Sequence, residues 1–414
     1  MKTIILNQKA ERDDLLARPY LIRHTQYDID NLLANGMIKL ISGPRRVGKS
    51  TQALLMLRGR NFAYLNFDDN ALLNAWNEDL VMQTLDDVYP NYDFLLLDEV
   101  QNLDGWDLWV SKLHRRGKNL IITGSNAKML SSEMATALTG RYIQIEMLPF
   151  SLEEIFEWNQ LDINNVSPED TNKATALSDD YLRLGGYPET IGARTIARSY
   201  LNTLFDAIIW KDIVKRHKVR NSNELSDLAM YLLSNFCNPI SANDLTKELA
   251  LSSVSTTQKF MGYLHEPYLF YYLQRYDNKL RLMKKAPQKI YVVDNGFVAA
   301  KAFNLSDNLG RLLENQVFIE LLRRGYDTEK SLFYYHSRNG KETDFVIREG
   351  THIKCLIQVC YDISNPKTER REVDSLIECA EELKCDQLQI ITIYEERTIT
   401  KGGHTIHVVP ITKL

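Results

Sequence analysis

The sequence predicts an α/β protein: a three-layer parallel sheet in the first 150 residues, then a helical stretch and a second α/β unit. Three observations carry this reading. The apolar run MIKLIS (37–42) ends in a glycine-containing loop and passes into the helix-like STQALLMLRG, giving strand, loop, helix. Three further strand-like runs, NFAYLNF (61–67), YDFLLLDEV (92–100) and KNLIITGS (118–125), alternate with helical stretches such as LVMQTLDDVY. The second and fourth of these four runs are nearly continuous in apolar residues, as expected of parallel strands covered on both faces.

The elements then follow in order. LPFSLEEIFEW opens a helical region over 151–218, interrupted by LDINNVSPEDTN and by the turn LGGYPET. Residues 219–289 read as three helices and a strand pair, which fits a winged helix-turn-helix. Ser241 is placed to cap ANDLTKELA, Leu251 and Ser252 make the turn, and VSTTQKFMGYLHE is the second helix. The wing is expected from YLFYYLQRY and LRLMKKAPQ, joined at Asp277-Asn278. Residues 290–414 read as a separate α/β unit. It has a helix at LLENQVFIELLRRG, strands at LFYYHSR, ETDFVIRE and CLIQVCYD, a helix near ERREVDSLIECAEEL, and a strand at QLQIITIYE.

Length and composition suit several domains with their own cores: 414 residues, 44% of them hydrophobic. A net charge of -4 argues against wholesale polyanion binding and leaves room for a local basic face. No apolar stretch approaches the roughly 18–20 residues of a membrane span, and the charged MKTIILNQKAERDD does not resemble a signal peptide. The expectation is a cytoplasmic protein with no membrane partner. The five cysteines (Cys237, Cys355, Cys360, Cys379, Cys385) form no CxxC pair, so reduced, buried thiols are expected rather than disulfides or zinc. The histidines show no metal-ligand spacing, and the five tryptophans are expected to be packing anchors.

The chemistry is concentrated near the N-terminus. Gly43-Pro44-Arg45-Arg46-Val47-Gly48-Lys49-Ser50 satisfies GxxxxGK[ST] between a predicted strand and a predicted helix, the context that motif requires. Glycines let the loop wrap closely, so that backbone N–H groups and the helix N-terminus face a phosphate. Lys49 would reach the β- and γ-phosphates, Ser50 would hold Mg²⁺, and Thr51 completes the cofactor-binding run from Gly43. In FLLLDE (94–99), buried apolar residues end in Asp98, a metal-holding carboxylate, and Glu99, placed to polarise an attacking water. ATP with Mg²⁺ is therefore the expected ligand pair, and the Asp-Glu pair points to hydrolysis. The next strand ends in Thr123-Gly124-Ser125-Asn126, where a polar group such as Asn126 could position water. Arg141, just before a further strand, could reach a γ-phosphate in cis or in trans or form a structural ion pair. Arg45 and Arg46 could also touch phosphate or partner carboxylates.

The passage from KLISGPRRVGKST through LLLDEVQN and ITGSNAKML to LTGRY resembles the AAA-type P-loop ATPases of archaea and bacteria, in which a winged helix and a C-terminal domain of unknown function follow the ATPase. The resemblance extends over essentially the whole chain, including LPFSLEEIF, GGYPE and YVVDNGF. It implies a sensor or finger role for Arg141.

Residues 215–290 hold 12 Lys or Arg against 6 Asp or Glu. Arg275, Lys279, Arg281, Lys284, Lys285 and Lys289 cluster on the expected wing, where they could pair with DNA phosphates; plain inter-domain packing is the alternative. The last unit resembles a PD-(D/E)xK nuclease core, which needs a helix Glu, an Asp at a strand start and a (D/E)xK on the next strand. Glu314 and Asp344 match the first two. The third reads Gln358-Val359-Cys360, and a thiol cannot replace an ammonium group, so the unit reads as non-catalytic and suited to binding or regulation. Glu342 and His336 could in principle compensate. Three functions stay open: an ATPase switch coupled to DNA or a protein partner, a nucleotide-gated binding protein with negligible turnover, and an ATP-dependent nuclease. A homo-oligomer is compatible with each.

Overall fold

A computed structural model describes residues 1–125, 138, 140–163, 166–302 and 308–414. The chain divides into two units, Met1–Leu148 with Glu266–Tyr268, and Pro149–His265 with Leu269–Leu414.

In the first unit, strands β1 (Ile38–Ser42), β2 (Phe62–Asn66), β3 (Phe94–Asp98), β4 (Asn119–Gly124) and β5 (Tyr142–Glu146) form a parallel sheet in the order β2-β3-β4-β1-β5. Every residue of β1 and β3 is buried, which explains their apolar runs. Leu40, Leu65, Leu97 and Ile122 share one core cluster with Val81, Leu85, Trp106 and Trp109 from the covering helices. β4 lies between β1 and β3, so the residues that end these three strands converge at one edge of the sheet. The helix Lys2–Leu16, not anticipated from the sequence, is tied to β2: Gln8 exchanges hydrogen bonds with the Asn66 backbone, and Arg12 donates to the Phe62 carbonyl. Its periodicity is weak because it buries only Ile5 and Gln8.

In the second unit, a capping box between Ser151 and Glu154 starts the helix Leu152–Trp158. Helices Thr171–Leu184 and Arg194–Ala207 follow, and the latter runs into a π-helix over Ile208–Lys215. Next come helices Ser222–Ser234, Ala242–Glu248 and Val254–His265, with strands β6 (Pro239–Ile240), β7 (Phe270–Leu273) and β8 (Gln288–Val292) paired antiparallel in the order β6-β8-β7. Ser241 caps its helix as expected, its side chain accepting from Asp244 N–H. The expected wing needs correction. Leu280–Lys285 is helical and the returning strand is Gln288–Val292. In this helix Leu280 and Leu282 stay exposed and only Met283 is buried.

The rest of this unit runs helix Leu309–Arg323, β9 (Leu332–His336), β10 (Glu342–Glu349), β11 (His352–Val359), helix Pro366–Leu383, β12 (Leu388–Thr392), and the hairpin β13 (Arg397–Lys401) and β14 (His404–Pro410), which the sequence reading missed. β9-β10-β11 is an antiparallel meander, and β12 joins β11 in parallel. All five cysteines are free and buried.

GGYPE and YVVDNGF meet inside this unit. The Asp294 carboxylate accepts Gly186 N–H (2.7 Å) and Gly296 N–H (2.8 Å), while Asn295 donates to the Leu182 and Leu312 carbonyls and receives from Asn315. Burial, offset only partly by those two N–H groups, pushes Asp294 up to about 7. Gly185, at φ +74, lies so close that a Cβ would fall 1.7 Å from Asp294 Oδ1. These motifs are structural.

Candidate nucleotide-binding site

The loop after β1 has the shape its motif demands. Gly43, at φ +144, passes against the end of β5, where a Cβ would sit 2.1 Å from the Met147 carbonyl oxygen. Arg46 and Gly48 also adopt positive φ, and Gly48 turns the chain into the helix Lys49–Met56. A helix start offers backbone N–H groups without intrahelical partners, which suits this loop–helix junction to a phosphate. Pro44 and Val47 are buried, Arg45 is half-buried, Arg46 is exposed, and Thr51 follows Ser50 in the first helical turn.

The side chains at the sheet edge form one network. Ser50 Oγ donates to Asp98 Oδ1 (2.7 Å), and Tyr64 Oη donates to Asp98 Oδ2 (3.2 Å). Thr123 Oγ1 donates to Asp98 Oδ1 while accepting Glu99 N–H (2.9 Å), so β4 orients both acidic residues. Burial and the neighbouring Glu99 push Asp98 up to about 6, against the opposing pull of Thr123, Ser50 and Lys49. A divalent cation would return this carboxylate to full ionisation. Lys49, 4% exposed, donates from Nζ to the Pro44 carbonyl (2.9 Å) and stands 3.7 Å from Glu99 Oε1. Glu99 itself sits in the left-handed region at φ 49 and accepts from Gln101 and from Ser125 Oγ. Gly43's close packing and the Ser50–Asp98 pair fit the implied Mg²⁺-nucleotide: a main-chain cradle, an ammonium, and a hydroxyl–carboxylate pair.

Arg141 does not join this network. Its carbonyl accepts Ile38 N–H (2.9 Å) and its side chain is exposed, at the start of β5. β5 runs parallel to β1 with Tyr142 beside Ile38 and Glu146 beside Ser42, so Arg141 lies a full strand, about 16 Å at about 3.3 Å per residue, from the loop. Action in cis on a phosphate there is excluded by the register. Asn126 lies outside the described residues.

Two residues the sequence reading overlooked support the site. Arg23, 9% exposed, donates to the Val47 carbonyl (3.0 Å) and to the Leu148 carbonyl (2.7 Å), bracing the loop. Tyr64 anchors Asp98. Neither belongs to a contiguous motif.

In the second unit, Arg275 is half-buried, while Lys279, Arg281, Lys284 and Lys285 are exposed. Lys289 is corrected from a wing cation to a buried one, 1% exposed. Its Nζ donates to Glu314 Oε1 (2.9 Å) and Asp344 Oδ1 (2.9 Å) and pairs with Glu342 Oε1 (2.5 Å). Burial opposes the charged ammonium, but these carboxylates outweigh it and hold Lys289 protonated well above the usual lysine range. Glu314 and Asp344 thus meet on one ammonium. Gln358 and Cys360 are not drawn to that ammonium: Gln358 Nε2 donates to Glu372 (3.0 Å), and Cys360 belongs to an apolar cluster with Ile363, Val373 and Leu376.

Comparison with known proteins agrees with the first unit's geometry. Residues 35–156 match a protein-family model described as an AAA domain, and 175–308 and 309–414 match two described as domains of unknown function. An uncharacterized protein of Methanocaldococcus jannaschii is 32% identical over 404 residues, covering 93% of this chain and 90% of that one. One from Haemophilus influenzae is 31% identical over 393 residues, covering 90% and 93%. Among solved structures, the Walker-type ATPase of Pyrococcus abyssi is similar at a TM-score of 0.44 and 15% identity, covering 69% of this chain and 99% of that one. Residues 35–156, which carry the P-loop, thus match an AAA domain. No described helix is long and apolar enough to cross a membrane.

Proposed function

The chain belongs to the family of archaeal and bacterial proteins that includes the M. jannaschii relative, and we propose that it binds ATP with Mg²⁺ at residues 43–51 and hydrolyses it to drive a conformational switch. The observation that carries this is the network Ser50–Asp98–Thr123–Glu99 beside the buried Lys49. Mg²⁺, held by Ser50 and Asp98, would supply Lewis-acid stabilisation of phosphate charge. Lys49 would exchange its contacts with the Pro44 carbonyl and Glu99 for phosphate oxygens. That exchange frees the Glu99 carboxylate to orient a water, while Thr123 holds its backbone. Arg141 would then act only in trans, from a second copy.

The switch would be read by DNA or a protein partner through the second unit. The order helix, strand, two helices, strand, short helix, strand over 222–292 supports a winged helix whose wing carries a helical turn. The exposed Lys279, Arg281, Lys284 and Lys285 at its tip support contact with duplex phosphate. The order helix, three-stranded meander, helix, parallel strand over 309–392 supports a nuclease-like scaffold without cleavage.

Phosphate release with and without duplex DNA tests the proposal. Glu99→Gln should retain ATP binding and lose about 100-fold in turnover, whereas Lys49→Ala should lose binding. Turnover unchanged in Glu99→Gln would refute hydrolysis at this site. No effect of DNA on turnover would refute the DNA reading, and stimulation that survives neutralising all four tip residues would refute contact through the tip.

A further inference from the structure

We propose that the Lys289 ammonium is a tethered cation standing in the place of a divalent metal, so that residues 309–414 hold their acidic cluster together without one. A hydrolytic site on this scaffold would bridge the helix carboxylate Glu314 and the strand carboxylate Asp344 with a metal. Here both converge on Lys289 Nζ at 2.9 Å, and Glu342 joins at 2.5 Å. An ammonium has three N–H donors, and three carboxylates take them, leaving none for a substrate phosphate.

The surroundings fix this arrangement from every side. Glu314 Oε1 also accepts from Tyr291 Oη (2.7 Å), Asp344 Oδ2 accepts Val359 N–H (2.9 Å), and Glu342 Oε2 meets His336 Nε2 (2.8 Å). Mg²⁺ would need about six oxygens at about 2.0–2.1 Å, and these carboxylates are arrayed around a nitrogen at hydrogen-bond distance instead. Nor do the remaining motif residues supply what is missing. Gln358 Nε2 is committed to Glu372, and Cys360 Sγ bonds the Asp362 carbonyl (3.3 Å). The residues present do not fit a metal while Lys289 is there.

The sequence consequence is specific. The lysine absent from position 360 has a functional opposite at position 289: the positive charge comes from β8, outside the meander, and ties that strand to the helix Leu309–Arg323 and to β10. The charge then serves cohesion rather than catalysis. Removing it leaves three carboxylates facing one another, Asp344 buried and Glu314 and Glu342 partly so, a repulsion that a divalent cation would relieve.

The test uses the nucleotide-free full chain carrying Asp98→Asn, which silences the P-loop metal position. Free Mn²⁺ is followed by electron paramagnetic resonance and melting by calorimetry. With Lys289 intact, the expected result is no Mn²⁺ site in this unit and a melting temperature indifferent to EDTA. Adding Lys289→Met should lower that temperature and create one Mn²⁺ site, at least about tenfold tighter than any in the parent. Mn²⁺ should restore several degrees, and Asp344→Asn should erase the gain. Two results overturn the proposal. One is Mn²⁺ bound with Lys289 in place and lost on Asp344→Asn or Gln358→Ala; Gln358 Oε1, which has no hydrogen-bond partner among the described residues, makes the second variant necessary. The other is a Lys289→Met chain, soluble or refolded in Mn²⁺, that neither binds nor is stabilised by the metal.

Discussion

Arg23→Ala probes how the P-loop is held. The guanidinium is nearly buried and donates to two carbonyls, Val47 at 3.0 Å inside the loop and Leu148 at 2.7 Å after β5. Hydrogen bonds from a charged donor contribute about 1.5–3 kcal/mol each, so the two together bring about 3–6 kcal/mol. Removing the buried charge recovers part of that, since its desolvation no longer opposes folding. A net loss of about 3 kcal/mol is expected, with weaker ATP binding because Val47 is part of the cradle. Arg23→Lys keeps the charge but not the fork and should lose about half as much. Urea unfolding followed by tryptophan fluorescence reads the first unit, because Trp106 and Trp109 are buried there whereas Trp158 and Trp210 are 50% and 46% exposed. A fluorescent ATP analogue reads the loop. Arg23→Ala within about 0.5 kcal/mol of wild type, or a lysine variant as damaged as the alanine one, would refute the two-carbonyl brace.

Two further predictions concern the second unit. Gly185→Ala should cost about 3–5 kcal/mol, because it combines a positive φ with a Cβ placed against Asp294; a soluble variant with wild-type melting would dismiss that packing argument. Glu342 supplies a pH signature: burial raises its pKa, but His336 and Lys289 outweigh burial and bring it from the ordinary 4.5 to about 2. A depressed carboxylate contributes stability fully above its unfolded value and loses it as pH falls, here between 4.5 and 2. The full shift corresponds to about 3 kcal/mol, an upper bound for a side chain 30% exposed. Stability measured from pH 5 to pH 3 should therefore fall less steeply in Glu342→Gln than in wild type; equal slopes would remove this carboxylate from the acid response.

What could be read along the chain was whatever a contiguous run of residues imposes on its own backbone. Gly43 to Ser50 shapes a loop suited to a phosphate because of where its glycines, lysine and hydroxyl fall, and FLLLDE buries a strand that ends in two acids. The helices after Ser241 were legible from one cap and a 3.6-residue period. Charge and spacing alone could not say which distant side chain a group would meet. Lys289 counted as one more basic residue near a wing, until β8 carried it inside against Glu314, Glu342 and Asp344. Arg141 stood just before a strand, and only the parallel register of β5 with β1 put it at the far edge of the sheet. Arg23 belonged to no pattern at all. Local sequence determines backbone shape because steric and hydrogen-bond constraints act over a few residues. Partners for buried charge are chosen by the fold, which alone decides which groups leave water together.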